Sequence, residues 1–303
     1  MIVRPGKSWF RLLFIWNGSV LQSIIPQLLF VAAVSSLAVA THGRILGEKI
    51  PLNTTLLTLF GLTLAIFLAF RNNASYERFN EARHLWGNLL IAARALMSQT
   101  LRYLPSGTDR TRFIHALIAC VYALKHQLRG SDPGPDLRRL LGAGPAALLL
   151  EKCYRPVALL DDIRNGFAGM RERGQISDTT LWMLDAQLNE LGKVVGGCER
   201  IASTPIPFAY GVLLHRTIYT YCIMLPFGLV DSADLFTPLL CVFISYTLIA
   251  LEAIANEIAE PFSLAPNALA LDSMTRGIER SVLELCGLEL PEEVPPSYSY
   301  QLT

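Results

Sequence analysis

The chain predicts an all-α integral membrane protein with four membrane-crossing helices and a large helical region outside the bilayer. Composition, gaps in charge and helical periodicity in the polar remainder carry that prediction. Hydrophobic residues make up 52% of the 303 residues and charged residues 17%, with a mean hydropathy of +0.38. Soluble domains carry roughly 25% charged residues, so solubilising surface is short. The net charge of +1 excludes nucleic acid as a partner, because phosphate binding draws on a basic excess or stripe. Six cysteines (Cys120, Cys153, Cys198, Cys222, Cys241, Cys286) show no CxxC pair and fit neither a disulfide framework nor a zinc site.

Crossing a hydrocarbon core of roughly 30 Å takes about 20 helical residues. Residues 12–43 and 50–70 contain no Asp, Glu, Lys or Arg, which places a first span at 24–40 and a second ending at 70. A third runs over 207–230, interrupted only by His215 and Arg216, and a fourth fills the charge gap 235–251. Ahead of them, Trp9, Phe10, Phe14 and Trp16 among Arg4, Lys7 and Arg11 read as an interfacial amphipathic segment over 1–23. The alternative is a signal peptide ending at Ala38-Val39-Ala40, which exceeds the usual length of roughly 15–30 residues. Three basic residues precede the first span, whereas residues 231–236 hold two acids and no base. The positive-inside rule then puts both termini and the central region in the cytoplasm, with the chain in the cell inner membrane.

From 56 to 104 there is no proline and only Gly61 and Gly87, so the second span continues as a stalk of roughly 70 Å if helical throughout. Further helices are expected at 111–128, 146–173 and 177–201 from apolar spacing of three and four. Residues 130–135 and Gly174 mark turns, and Ser177 or Asp178 is the expected N-cap of the last helix. The chain thus divides into an N-terminal segment 1–23, spans 24–70, a cytoplasmic region 71–204, spans 205–256, and a cytoplasmic C-terminal helix and tail 257–303.

Leu62, Ile66 and Phe70 share one helix face. Symmetric copies of that face would make three stacked apolar rings that gate by dewetting; an ordinary buried helix face offers the same stripe. Gly61, Ala65 and Ala69 lie on another face and permit close helix contact. Glu81 and His84 match Glu-x-x-His, a metal-ligand pattern in di-iron bundles, but no second such motif accompanies them. His215 and Arg216 sit inside the third span, where ionisable groups are functional or paired; Glu252, Glu257 and Glu260 are the candidate partners. Gly196-Gly197 inside a helical run reads as close packing, not a phosphate loop. No nucleophile–base arrangement is evident, so no catalytic residue and no enzyme activity is expected.

Arg4-Pro5, Trp9-Phe10 and Trp16-Asn17-Gly18-Ser19 are followed in order by FRNNASYERFNEARHLWG at 70–87, GGCERI at 196–201, TPIPFAY at 204–210 and IANEIAEPF at 254–262. Together these blocks resemble the bestrophin family, particularly its bacterial members. The resemblance implies a homopentameric ion channel around one central pore, set in a lipid bilayer and passing small monovalent ions. Leu62, Ile66 and Phe70 occupy the family's neck positions, and Asp178, Thr179 and Thr180 fall near its cytoplasmic exit. An aliphatic residue is common at that exit, so threonine there argues against a tight lower gate. Animal members carry an acidic calcium clasp after the last membrane helix; residues 263–271 hold no acid, so neither calcium gating nor any other cofactor is expected. Asp178 inclines the expected selectivity toward cations, against the chloride conduction of the animal relatives. A membrane-bound enzyme or transporter is the rival class.

Overall fold

The computed structural model describes residues 1–3, 9–12, 15–16, 18–45, 48–49, 52–105, 110–297 and 300–303. Arg4, Pro5, Lys7, Phe14 and Asn17 lie outside the described residues. In chain order the helices are α1 Trp9–Leu12, α2 Leu21–Ala40, α3 Thr54–Tyr103, α4 Thr111–Arg129, α5 Gly134–Leu141, α6 Ala143–Leu150, α7 Arg155–Glu172, α8 Asp178–Ser203, α9 Phe208–Ala233, α10 Thr237–Ala259 and α11 Leu271–Leu285. A two-residue antiparallel pairing of Arg44–Ile45 with Glu48–Lys49 is the only sheet among the described residues. The fold is mostly helical, as the periodicity predicts.

Helix boundaries follow local chemistry. α3 runs unbroken for 50 residues, because nothing in it removes a backbone donor. α4 stops at Gly130, whose φ of 61° is a left-handed conformation that glycine adopts without steric cost. Ser177 caps α8 by accepting the Thr180 amide at 3.1 Å, which decides between the two expected caps. The helix expected over 146–173 is instead two helices, α6 and α7. Proline lacks an amide proton and fits only a first helical turn, and Pro156 therefore starts α7. By the same rule Pro135 opens α5 inside a stretch expected to be only a turn.

Among the described residues three helical stretches are long and apolar enough to cross a membrane, Leu21–Ala40, Thr55–Tyr103 and Phe208–Ala259. The last comprises α9, a 3-10 turn Asp234–Phe236 and α10.

The chain forms two compact units, one of residues 4–79 and 205–260, the other of residues 1–3, 80–204 and 261–303. In the first, α2, α9, α10 and the start of α3 close over Val31, Leu64, Leu68, Ile218, Leu225 and Ile249. Gly228 on α9 sits hard against Leu57, since a Cβ there would fall 1.9 Å from Leu57 Cδ1. Leu57 is itself buried, so Gly228→Ala should destabilise the protein by about 1–3 kcal/mol through overpacking, read as a lowered thermal midpoint of the detergent-solubilised protein.

In the second unit α4 is the hub, packed against α5, α7, α8 and α11. Every residue from 116 to 125 is buried, the signature of a helix enclosed on all sides. Phe113 stacks on Phe167 at 4.7 Å between ring centres. The buried carboxylate of this unit is paired: Glu279, 2% exposed, accepts from Tyr122 Oη and Arg139 Nη1, each at 2.6 Å, and lies 3.2 Å from Arg276. The termini meet here too, with Ile2 bridging Gln301 and the Met1 amine donating to the Leu302 carbonyl at 2.6 Å.

Candidate functional site

The first part of α3 has one covered face. Leu57, Leu64, Leu68 and Arg71 are buried, whereas Leu62, Ile66 and Phe70 are 60%, 50% and 60% exposed. At 100° per residue the two sets lie on opposite sides of the helix. Beyond Phe70 the exposed face continues as Asn73 and Glu77, so an apolar band gives way to polar groups along one line. Gly61 meets α9, where a Cβ would lie 2.7 Å from Tyr221 Oη; Ala65 and Ala69 are exposed in the single chain.

The FRNNASYERF junction fastens α3 to its neighbours. Arg71 Nη2 donates to Asn256 Oδ1 on α10 at 2.6 Å. Arg78 Nε donates at 2.6 Å to the carbonyl of Ala259, the last residue of α10. A cation at a helix C-terminus satisfies an orphan carbonyl and complements the helix dipole. Ser75 is fully buried. Both arginines carry a structural task that the sequence alone leaves undefined.

His215 Nδ1 lies 2.9 Å from Glu252 Oε1, so Glu252 is the partner among the three expected candidates. Glu81 forms an ion pair with Arg200, and among the described residues no group of three or more His, Cys, Asp or Glu could hold a metal. That pair is exposed, with 47% and 62% of its side chains accessible, and surface pairs contribute less than about 1 kcal/mol. Glu81→Ala should therefore change neither thermal stability by more than about that amount nor ion conduction, measured in bilayers. Gly197 packs against Leu85, with a Cβ position 2.8 Å from Leu85 Cδ2, whereas a Cβ at Gly196 would meet nothing within 4 Å, so close packing holds for one member of the glycine pair. Cys198, next in the chain, is fully buried, and burial first, then the Glu199 and Glu81 charges, push its thiol up to about 12; it is an inert core residue.

Asp178, Thr179 and Thr180 form the first turn of α8. Asp178 receives Arg171 Nε at 2.6 Å, and that hydrogen bond and charge hold its carboxyl below the ordinary value. Thr180 Oγ1 lies 3.0 Å from Ser177 Oγ, which leaves Thr179 and Asp178 as the exposed members.

Sequence reasoning missed Asn256 as the partner of Arg71 and Glu279 as the centre of a buried cluster. Glu279 did leave a signal: it shares the apolar face of α11 with Leu271, Thr275 and Val282, all buried.

Residues 1–284 match the family described as Bacterial/Fungal Bestrophin protein. A voltage-dependent anion channel-forming protein of Ralstonia nicotianae is 44% identical over 290 residues, covering 95% of each chain. The voltage-dependent anion channel-forming protein YneE of Escherichia coli K12 is 40% identical over 309 residues, covering 100% of both. A crystal structure of a bacterial bestrophin homologue from Klebsiella pneumoniae superposes with a TM-score of 0.84 at 43% identity, covering 88% of this chain and 99% of that one. The chain belongs to the bestrophin family of membrane proteins, a family of ion channels and not of enzymes.

Proposed function

We propose that this protein conducts small monovalent ions passively through a pore whose neck is made of Leu62, Ile66 and Phe70 from copies arranged around one axis. Five copies are expected from the family resemblance. The observation that carries the reading is the half-exposed apolar face of α3, which no other described element covers. One helix cannot enclose a passage, so that face needs copies of itself. Apolar rings repel water when narrow and hold back ions through dehydration, not through charge.

The proposed topology has four crossings, by α2, α3, α9 and α10. Its support is the pairing of Ile2 with Gln301: termini that touch lie on one side of a bilayer, which requires an even number of crossings. Both α9, at 26 residues, and α10, at 23, reach the length of about 20 that a crossing takes. The acidic link between them faces outward and both termini face the cytoplasm of the inner membrane. Asp178, Thr179 and Thr180 then ring the cytoplasmic exit as polar groups, which stay wet and make no tight gate.

Two observations favour anions as the permeant species. Relatives are named as anion channels, and Arg171 offsets the Asp178 charge on which the expectation of cation preference rested. The second reading, cations, draws on Glu77, exposed on the polar continuation of the neck face. Reversal potentials of the purified protein in planar bilayers under a KCl gradient test both. A potential near that of chloride supports anions, one near that of potassium supports cations, and no current from reconstituted oligomers would end the channel reading.

A further inference from the structure

We propose that the cavity walled by α3, α9 and α10 at the end of their apolar stretches binds a phosphate oxyanion, the group carried by an anionic phospholipid. The cavity holds about 350 Å³ and is lined by Arg71, Gly211, His215, Arg216, Glu252 and Asn256. Arg71 and Glu252 are the first charged residues beyond the charge-free stretches of α3 and α10, and His215 and Arg216 are the first basic residues of α9. Three helices thus change from apolar to charged around one cavity. In a membrane that change marks headgroup depth.

The cavity has more positive than negative charge. Arg71 is only 9% exposed, and its Nε is buried without a partner among the described residues. Its Nη2 donates to a neutral amide oxygen, Asn256 Oδ1. Among the described residues no carboxylate lies within ion-pair distance of Arg71 or Arg216. Glu252, the one acid present, is already engaged by His215 at 2.9 Å. A buried cation without a counter-charge is costly, and an anion in the cavity removes that cost.

The backbone adds to the same field. Gly211 lies in the first turn of α9, where unpaired amides and the helix dipole favour an anion. A Cβ at 211 would fall 2.9 Å from Arg71 Nη1, so glycine is what lets the guanidinium lie against this turn. Phe208, in the same wall, is 86% exposed and offers an apolar surface for acyl chains beside the phosphate. Basic pockets between membrane helices at this depth suit phospholipid headgroups.

Native mass spectrometry of the full-length protein in mild detergent, mixed with phosphatidylglycerol or phosphatidylcholine, tests the site. Wild type should retain roughly one phosphatidylglycerol per subunit. Arg216→Gln should retain about tenfold less, a loss of about 1.4 kcal/mol. Arg216 is exposed, so this variant does not endanger the fold; Arg71→Lys, which keeps the charge but not the planar fork, should lose less. Inorganic phosphate alone is the second arm: if it displaces the lipid at equal concentration the source is free phosphate, and if it does not the source is the headgroup. Equal retention by wild type and Arg216→Gln, or of both lipids by wild type, overturns the site. The readout is bound lipid and not current, so its failure leaves the conduction reading standing.

Discussion

Ile66→Ala should enlarge single-channel current several-fold in planar bilayers while leaving the subunit's stability nearly unchanged. Ile66 is 50% exposed in the single chain and sits midway between Leu62 and Phe70 on one helix face. If that face lines a neck, truncating it in every copy widens the narrowest ring and lowers the cost of keeping it wet. Each copy loses three carbon atoms at the same level, so the effect multiplies around the axis. A core position would behave differently: removing Leu64 or Leu68, which are 1% and 2% exposed, leaves a cavity and costs about 2–5 kcal/mol. Ile66→Ala with wild-type current and intact oligomers would mean that the stripe faces acyl chains, and the pore would have to be sought elsewhere.

Glu279→Ala should strongly destabilise the second unit, with a cost of about 3–5 kcal/mol for breaking a buried ion pair. The substitution strips Tyr122, Arg139 and Arg276 of their shared acceptor. Burial, followed by the hydrogen bond to Glu279 and its charge, pushes the Tyr122 hydroxyl up from its ordinary value, so Tyr122 remains a neutral donor at working pH. Glu279→Gln keeps the volume and an acceptor for Tyr122, and should recover part of the loss in chemical denaturation or in yield of folded protein. Equal stability of Glu279→Ala and wild type would show that water replaces the carboxylate in this unit.

The neighbouring cluster adds an acid limit. Burial alone would raise the carboxyls of Asp136 and Asp272, yet His126 and Lys125 beside the first and Lys125 and Arg129 beside the second hold both below the ordinary value. A carboxyl depressed in the folded state contributes stability above its unfolded pKa of about 3.9, and that contribution is lost as pH falls through the folded values. The thermal midpoint should stay flat on this account above about pH 5 and drop steeply below about pH 4, and Lys125→Met should shrink the drop.

The sequence by itself determined the mostly helical class, most of the long helices, the long apolar stretches and the family. Long runs without charge, an unbroken proline-free stretch at 54–103, and caps such as Ser177 and Gly130 act through neighbours a few residues away, and local rules read them. The break at Pro156 was legible in principle as well, since proline's missing amide is a local fact.

Tertiary structure alone decided the pairings. Arg71 finds Asn256 across 185 residues, and Tyr122 finds Glu279 across 157; nothing in the spacing of either pair encodes the contact. It also decided which side of α3 is covered, because Leu62 and Leu64 are equally apolar and only packing against α9 and α10 separates them. Burial is a property of what surrounds a side chain, and a linear pattern gives the direction of each residue but not its neighbour.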